Sequence, residues 1–303
     1  MDTQRYNQLI SDLRSDYRPQ REWGEGKGLL MVVGHFLVGI AGGAWLLGTL
    51  YGSAWTLVLA FVLGGLGGLV HLAFLGHPER AVGMMRHWRT SWVSRGFVGL
   101  SLFLLGGVLY LPGQFVALGA AGPALNLIGG VMAMLGALTI IGYMGFAYTA
   151  SKAIPFWNSP LHPALYVAYA LRGGIAALLI VGAVKGGVPA ETLLKLWIGV
   201  TAVVGLFFIM ELQGAATGGN VAAKQSVHEI LNGRVSMVFY GGTLIVGLAV
   251  PALLLATSHA ASAAVMALIG IASAAGDFFM KLSTVRAGVY LPLVIPARHH
   301  RRA

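Results

Sequence analysis

His35, His71, Tyr143, Tyr166, Tyr169, Arg172, Glu211 and Asp277 all stand in stretches otherwise too apolar for water. An ionisable group in hydrocarbon costs several kcal/mol unless it is paired or hydrated, so each marks a candidate site. Histidine donates, accepts and shuttles protons near neutral pH. Tyrosine donates a hydrogen bond without titrating. Glu211 and Asp277 are suited to relaying protons or to holding Arg172 as an internal ion pair. His35 and His71 also qualify as axial ligands of a b-type haem. Plainer roles stay open: packing for Tyr143, an aromatic belt for Tyr166 and Tyr169, and helix-end positions reaching water for His71, Glu211 and Asp277.

The elements that position these groups follow from hydropathy. Hydrophobic residues make up 57% of the 303 and charged residues only 10%, against about a quarter charged in soluble domains. Apolar runs cover roughly 28–52, 54–75, 92–112, 123–151, 163–184, 190–214, 234–257 and 260–281. Each is near the ~20 residues needed to cross ~30 Å of hydrocarbon. Their length and lack of alternation exclude a β-barrel. The fold expected is an all-α integral membrane protein, an eight-helix transmembrane bundle over 28–281. A polar surface segment, 1–27, precedes it and a basic tail, 282–303, follows. The 44 glycines suit helices that approach closely in a bilayer. The chain has no cysteine, hence no disulfide and no iron–sulfur cluster of its own. Electron transfer would need outside cofactors or a bound organic carrier.

Eight crossings put both termini on one side, here the N-side. Seventeen of the 20 lysines and arginines fall there, only Lys185 and Lys195 fall opposite, and Arg172 lies within a span. By the positive-inside rule the N-side is cytoplasmic, in a cell inner membrane. The bases are scattered over membrane-flanking loops, which argues against nucleic acid as a partner. Two N-side loops look helical, 78–89 and 222–233. In the first, Ala81, Met84, Met85 and Trp88 share one face, with Arg80, Arg86 and Arg89 elsewhere. At 1.5 Å per residue His35 lies about 10 Å from the N-side, Tyr143 about 12 Å and Arg172 about 14 Å. The intramembrane polar groups all fall in the N-side half, which suits a site served from that face better than a through-channel.

Three segments carry a resemblance: HFLVGIAGG (His35–Gly43), HLAFLGHPERAVGMMRHWRTSWVSR (His71–Arg95) and GYMGFAYTASKAIPFWN (Gly142–Asn158). They resemble the NrfD family, membrane subunits of polysulfide-reductase-type enzymes of anaerobic respiration. The likeness covers residues 28 to about 158 in sequence and the remainder in hydropathy. It implies a quinone-binding anchor for menaquinone or ubiquinone, holding no metal. It also implies an iron–sulfur subunit docked on the N-side and a molybdopterin catalytic subunit docked on that. Carried over by position, His35 and Tyr143 contact the quinone. Relatives carry an amide one turn before the histidine. Here Val32 stands in that place, and His71 or Asn158 would supply the missing donor. Arg172, Glu211 and Asp277 would carry protons to the N-side surface. Arg80, Arg86, Arg89 and Arg95 would face the partner. The other readings are a proton- or ion-translocating unit without redox chemistry, and a haem b cytochrome.

Overall fold

The computed structural model describes residues 3–14, 17–257 and 262–291. Among them eight helices are long and apolar enough to cross a membrane. The spans are α2 (Leu29–Leu50, prolonged at its start by a turn at Gly26–Gly28), α3 (Ala54–Leu75), α5 (Trp92–Tyr110) and α6 (Gly122–Thr149). They continue with α7 (His162–Lys185), α8 (Ala190–Thr217), a π-helix at Val238–Ala249 running into α10 (Val250–Thr257), and α11 (Ala263–Arg286). Three short helices lie outside the spans: α1 (Thr3–Arg14), α4 (Ala81–Met84) and α9 (Val221–Leu231). No strand forms among the described residues; one isolated bridge joins Pro19 to Val289.

Burial ranks the spans. In α2 and α7 67% of the most apolar window is buried inside the protein, against 22–39% in the other six. These two are therefore the central helices, and lipid covers much of the rest. The polar residues on α2 and α7, His35 among them, thus face protein, as buried charge in a membrane must.

The apolar runs match the observed spans to within a few residues except at the last. A lysine normally ends an apolar run, which put the boundary at 281. The helix instead continues to Arg286, and Lys281 is buried within the bundle, its ammonium packed over the rings of Phe36, Tyr166 and Tyr169. Arg298, Arg301 and Arg302 of the basic tail lie outside the described residues.

The leader is more than a surface segment. Gln20 N–H donates to the Gly288 carbonyl at 2.7 Å and Tyr290 N–H to the Arg18 carbonyl at 2.9 Å. This joins the leader to the chain after α11 and lets Trp23 turn inward against Tyr148 and Trp157.

The N-side loops are helical as expected, though the first is broken. Turns of 3-10 helix at Pro78–Arg80 and Met85–His87 flank α4. Ala81 is buried and Met84 and Met85 are half-buried, whereas Trp88, read as part of the same face, is exposed. The TSWVSR motif explains itself as the start of α5. The Ser91 hydroxyl caps the helix by accepting from Ser94 N–H at 3.3 Å. Arg95 then reaches back over the Trp92 ring, 4.2 Å from its centroid, and donates to the carbonyls of Trp88 and Arg89.

Candidate functional site

A cavity of about 190 Å³ opens at the N-side end of α2, α3, α5 and α6. Its walls are mostly apolar, including Met31, Phe97, Leu100 and Met144, and Trp23 of the leader closes it toward the N-side. Three polar side chains line it: His35 from α2, His71 from α3 and Tyr143 from α6. Two glycines make room for them. A Cβ on Gly34 would fall 2.7 Å from the His71 ring, and one on Gly96 would fall 2.2 Å from the Tyr143 ring. These rings can therefore lie flat against neighbouring backbone.

The hydrogen bonds set the tautomers. His71 Nδ1 is 2.8 Å from the Gly67 carbonyl, so it carries the proton and donates, leaving Nε2 to accept. The Tyr143 hydroxyl faces that Nε2 at 3.5 Å, a long contact that a better acceptor would readily replace. On the other side the buried Tyr148 hydroxyl stands 3.4 Å from His35 Nδ1. If Tyr148 donates there, His35 bears its proton on Nε2. With Tyr148 as donor, an imidazole N–H from α2 and a phenol O–H from α6 are available at the cavity wall.

His35 and Tyr143 do not straddle a slot. Their ring centroids lie 6.1 Å apart, edge to face. A flat ring between them would need about 7 Å, two ordinary van der Waals contacts. The donors converge on one wall instead, so a bound ring lies alongside them with a carbonyl toward the cluster.

Asn158 is not in this cavity. It is exposed on the α6–α7 loop, donates to the Thr149 carbonyl, and lines a different N-side pocket of about 360 Å³. Of the two donors offered for the missing amide, only His71 reaches the cavity.

The expected proton-path residues split into two groups. Arg172 Nη1 meets Asp277 Oδ1 at 2.5 Å, Nη2 donates to the Gly247 carbonyl at 2.6 Å, and Nε donates to Thr201 Oγ1 at 3.0 Å. The Gly247 carbonyl is available for a physical reason. Its α-helical partner would be residue 251, which is Pro251 and has no N–H. Glu211 belongs elsewhere: its Oε1 is in close contact with Nδ1 of His162, the first residue of α7, and both side chains are fully enclosed. Tyr166 and Tyr169 are buried inside α7 rather than set in an interfacial belt.

Tyr148, Trp23, His162 and Lys281 escaped the sequence reading. Tyr148 is five residues past Tyr143, about 140° around a helix, so no shared face links them. His162 immediately precedes an apolar run and reads as loop. Arg80, Arg86 and Arg89 are exposed on the N-side loop, whereas Arg95 is half-buried and held by that loop's own carbonyls.

A family model described as "Polysulphide reductase, NrfD" matches residues 27–292, nearly the whole chain. No curated protein sequence matches it.

Proposed function

The chain belongs to the NrfD polysulphide reductase family, membrane subunits of oxidoreductase complexes, and on that premise we propose that it binds quinone for an iron–sulfur partner. One observation carries the reading: His35, His71 and Tyr143, from three helices, converge in one apolar cavity close to the N-side interface. A quinone head group is an apolar ring with two acceptor carbonyls, and it calls for a greasy slot with few, well-placed donors. The 190 Å³ cavity suits such a head group alone, being smaller than the roughly 300–1,000 Å³ of sites for whole drug-sized ligands. The isoprenoid tail would then extend into lipid.

Menaquinone or ubiquinone, when bound, would exchange two electrons and two protons. The residues present do the remainder. His35 Nε2–H orients one carbonyl and is the proton donor nearest it. Tyr148 holds His35 in that tautomer. Tyr143 offers its hydroxyl in place of the long contact to His71. Trp23 and the leader shield the ring from water on the side where the partner docks.

Haem fits this geometry poorly. Two imidazoles ligating one metal from opposite faces have centroids roughly 6 Å apart, with each nitrogen about 2 Å from the metal. The rings of His35 and His71 are 4.8 Å apart and tilted by 44°.

Docking falls to the exposed arginines Arg80, Arg86 and Arg89, facing the cytoplasm by the charge bias, with a molybdopterin subunit beyond the iron–sulfur protein. Purifying the tagged chain from membranes should bring down an iron–sulfur protein. Reversing the three arginines to Glu together should release it while the anchor stays inserted, because surface charge steers and registers interfaces. A chain isolated alone with a haem absorption band would mean a cytochrome. One isolated alone and colourless would mean a transporter unit.

A further inference from the structure

Beyond the quinone pocket, a second buried polar cluster lies where the start of α7 meets α8. His162 and Glu211 are in direct contact, are 0% and 3% exposed, and each keeps one polar atom without a partner among the described residues: His162 Nε2 and Glu211 Oε2. A buried polar atom left unbonded loses its hydration without replacement, so a purely structural pair would be poorly built. Glu211 also lines the roughly 360 Å³ pocket at the α6–α7 loop, whose mostly apolar wall carries Asn158, Ser159 and Asn220.

On its inner side the pair meets aromatic hydroxyls. His162 stacks on Tyr166 with centroids 5.5 Å apart, and Tyr148 lies 5.9 Å from His162 and 5.5 Å from Tyr166. Tyr148 in turn reaches His35 Nδ1 at 3.4 Å, and His35 lines the cavity. Ring contacts thus run from the His162–Glu211 pair to Tyr148, and a 3.4 Å contact joins Tyr148 to His35 at the cavity wall.

We propose that His162 and Glu211 form a proton gate joining the Asn158 vestibule to the quinone cavity through Tyr166, Tyr148 and His35. The proposal rests on the quinone reading above. A proton from vestibule water enters at Glu211 Oε2. Glu211 passes one from Oε1 to His162 Nδ1, and His162 releases the proton on Nε2 toward the tyrosine hydroxyls. Tyr148 takes up one proton and yields its own to His35 Nδ1, and His35 gives the proton on Nε2 to the quinone oxygen. Each group gains one proton and loses one, and no electron moves along the route. The Arg172–Asp277 pair is not on this route; Arg172 also donates to the Gly247 carbonyl and to Thr201 Oγ1.

The test uses the intact complex in membranes, with Glu211→Gln and Glu211→Ala compared with the parent. A short-chain quinone quenching tryptophan fluorescence reports binding, since Trp23 lines the cavity. Quinone-linked turnover should fall about tenfold or more in both variants, the lower end of what a lost acid–base group costs. Quenching should stay at the parent level. Formate, a small acid able to enter the vestibule, should restore turnover in Glu211→Ala at least threefold. Parent-level turnover in both variants removes the route and leaves the quinone site standing. Slow turnover that formate does not lift, or that comes with lost quenching, makes the pair structural and overturns the gate. Absence of quenching in the parent removes the quinone reading, and the route with it.

Discussion

Replacing His35 by Ala, or Tyr143 by Phe, should lower quinone-linked turnover about five- to 150-fold while the partner's reaction with a soluble dye continues at the parent rate. The range follows from losing one hydrogen bond to a buried acceptor, about 1–3 kcal/mol, converted to a ratio at limiting quinone. His35→Ala should fall at the severe end. His35 is buried, offers its Nε2 to the cavity, and takes the Tyr148 hydroxyl on Nδ1, so its loss also strands Tyr148. Tyr143→Phe removes one hydroxyl whose protein contact, to His71, is already 3.5 Å long. It keeps the ring that fills the space left by Gly96. The soluble dye bypasses the membrane, so it separates a damaged quinone site from failed assembly. Loss of both activities would indicate misfolding, and parent rates with quinone in both variants would place the site elsewhere.

The second large effect concerns folding. Replacing Asp277 by Leu leaves the Arg172 guanidinium enclosed beside the Trp197 ring without its counter-charge. Breaking one side of a buried ion pair costs about 3–5 kcal/mol, because the remaining charge has nowhere to go. Little Asp277→Leu protein should therefore accumulate in membranes, and what does should lose its fold at markedly lower temperature. The double variant Arg172→Met with Asp277→Leu should recover most of the membrane content, since an apolar pair of similar volume often replaces an ion pair at no loss. Immunoblots of membranes with detergent melting curves decide it. Parent-level Asp277→Leu protein would mean that Arg172 finds water or another partner. A double variant as depleted as the single would mean that the arginine's bonds to Gly247 and Thr201 matter more than its charge pairing.

The spans were legible because a bilayer leaves so little choice: an apolar run of that length is a helix. Depth did the same for His35 and Tyr143, placed within about 3 Å of each other by counting residues at the helical rise. Azimuth was not legible. Counting gives height along a helix, whereas the packing of α2 against α6 decides which side chains meet, so Tyr148 was invisible, and Asn158, on the loop after α6, lies outside the cavity. Pairing failed likewise. Glu211 and Asp277 look alike as carboxylates near helix ends, and only the fold gives one to His162 and the other to Arg172. Lys281 misled for an instructive reason. A base beside an apolar run reads as a flank in water, yet aromatic faces and Asp277 one turn earlier give it a buried place. On the arginine-rich loop Arg80, Arg86 and Arg89 are exposed, whereas Arg95 is tied to the carbonyls of Trp88 and Arg89, a contact that sequence spacing does not show.

The most direct test of the central claim is covalent. A short-chain azidoquinone, photolysed in membranes holding the complex, should label this chain. The label should map to peptides from α2, α3 or α6 carrying His35, His71 or Tyr143, and excess native quinone should suppress it. Labelling confined to peptides without cavity residues, or labelling that native quinone does not compete away, would contradict the quinone site described.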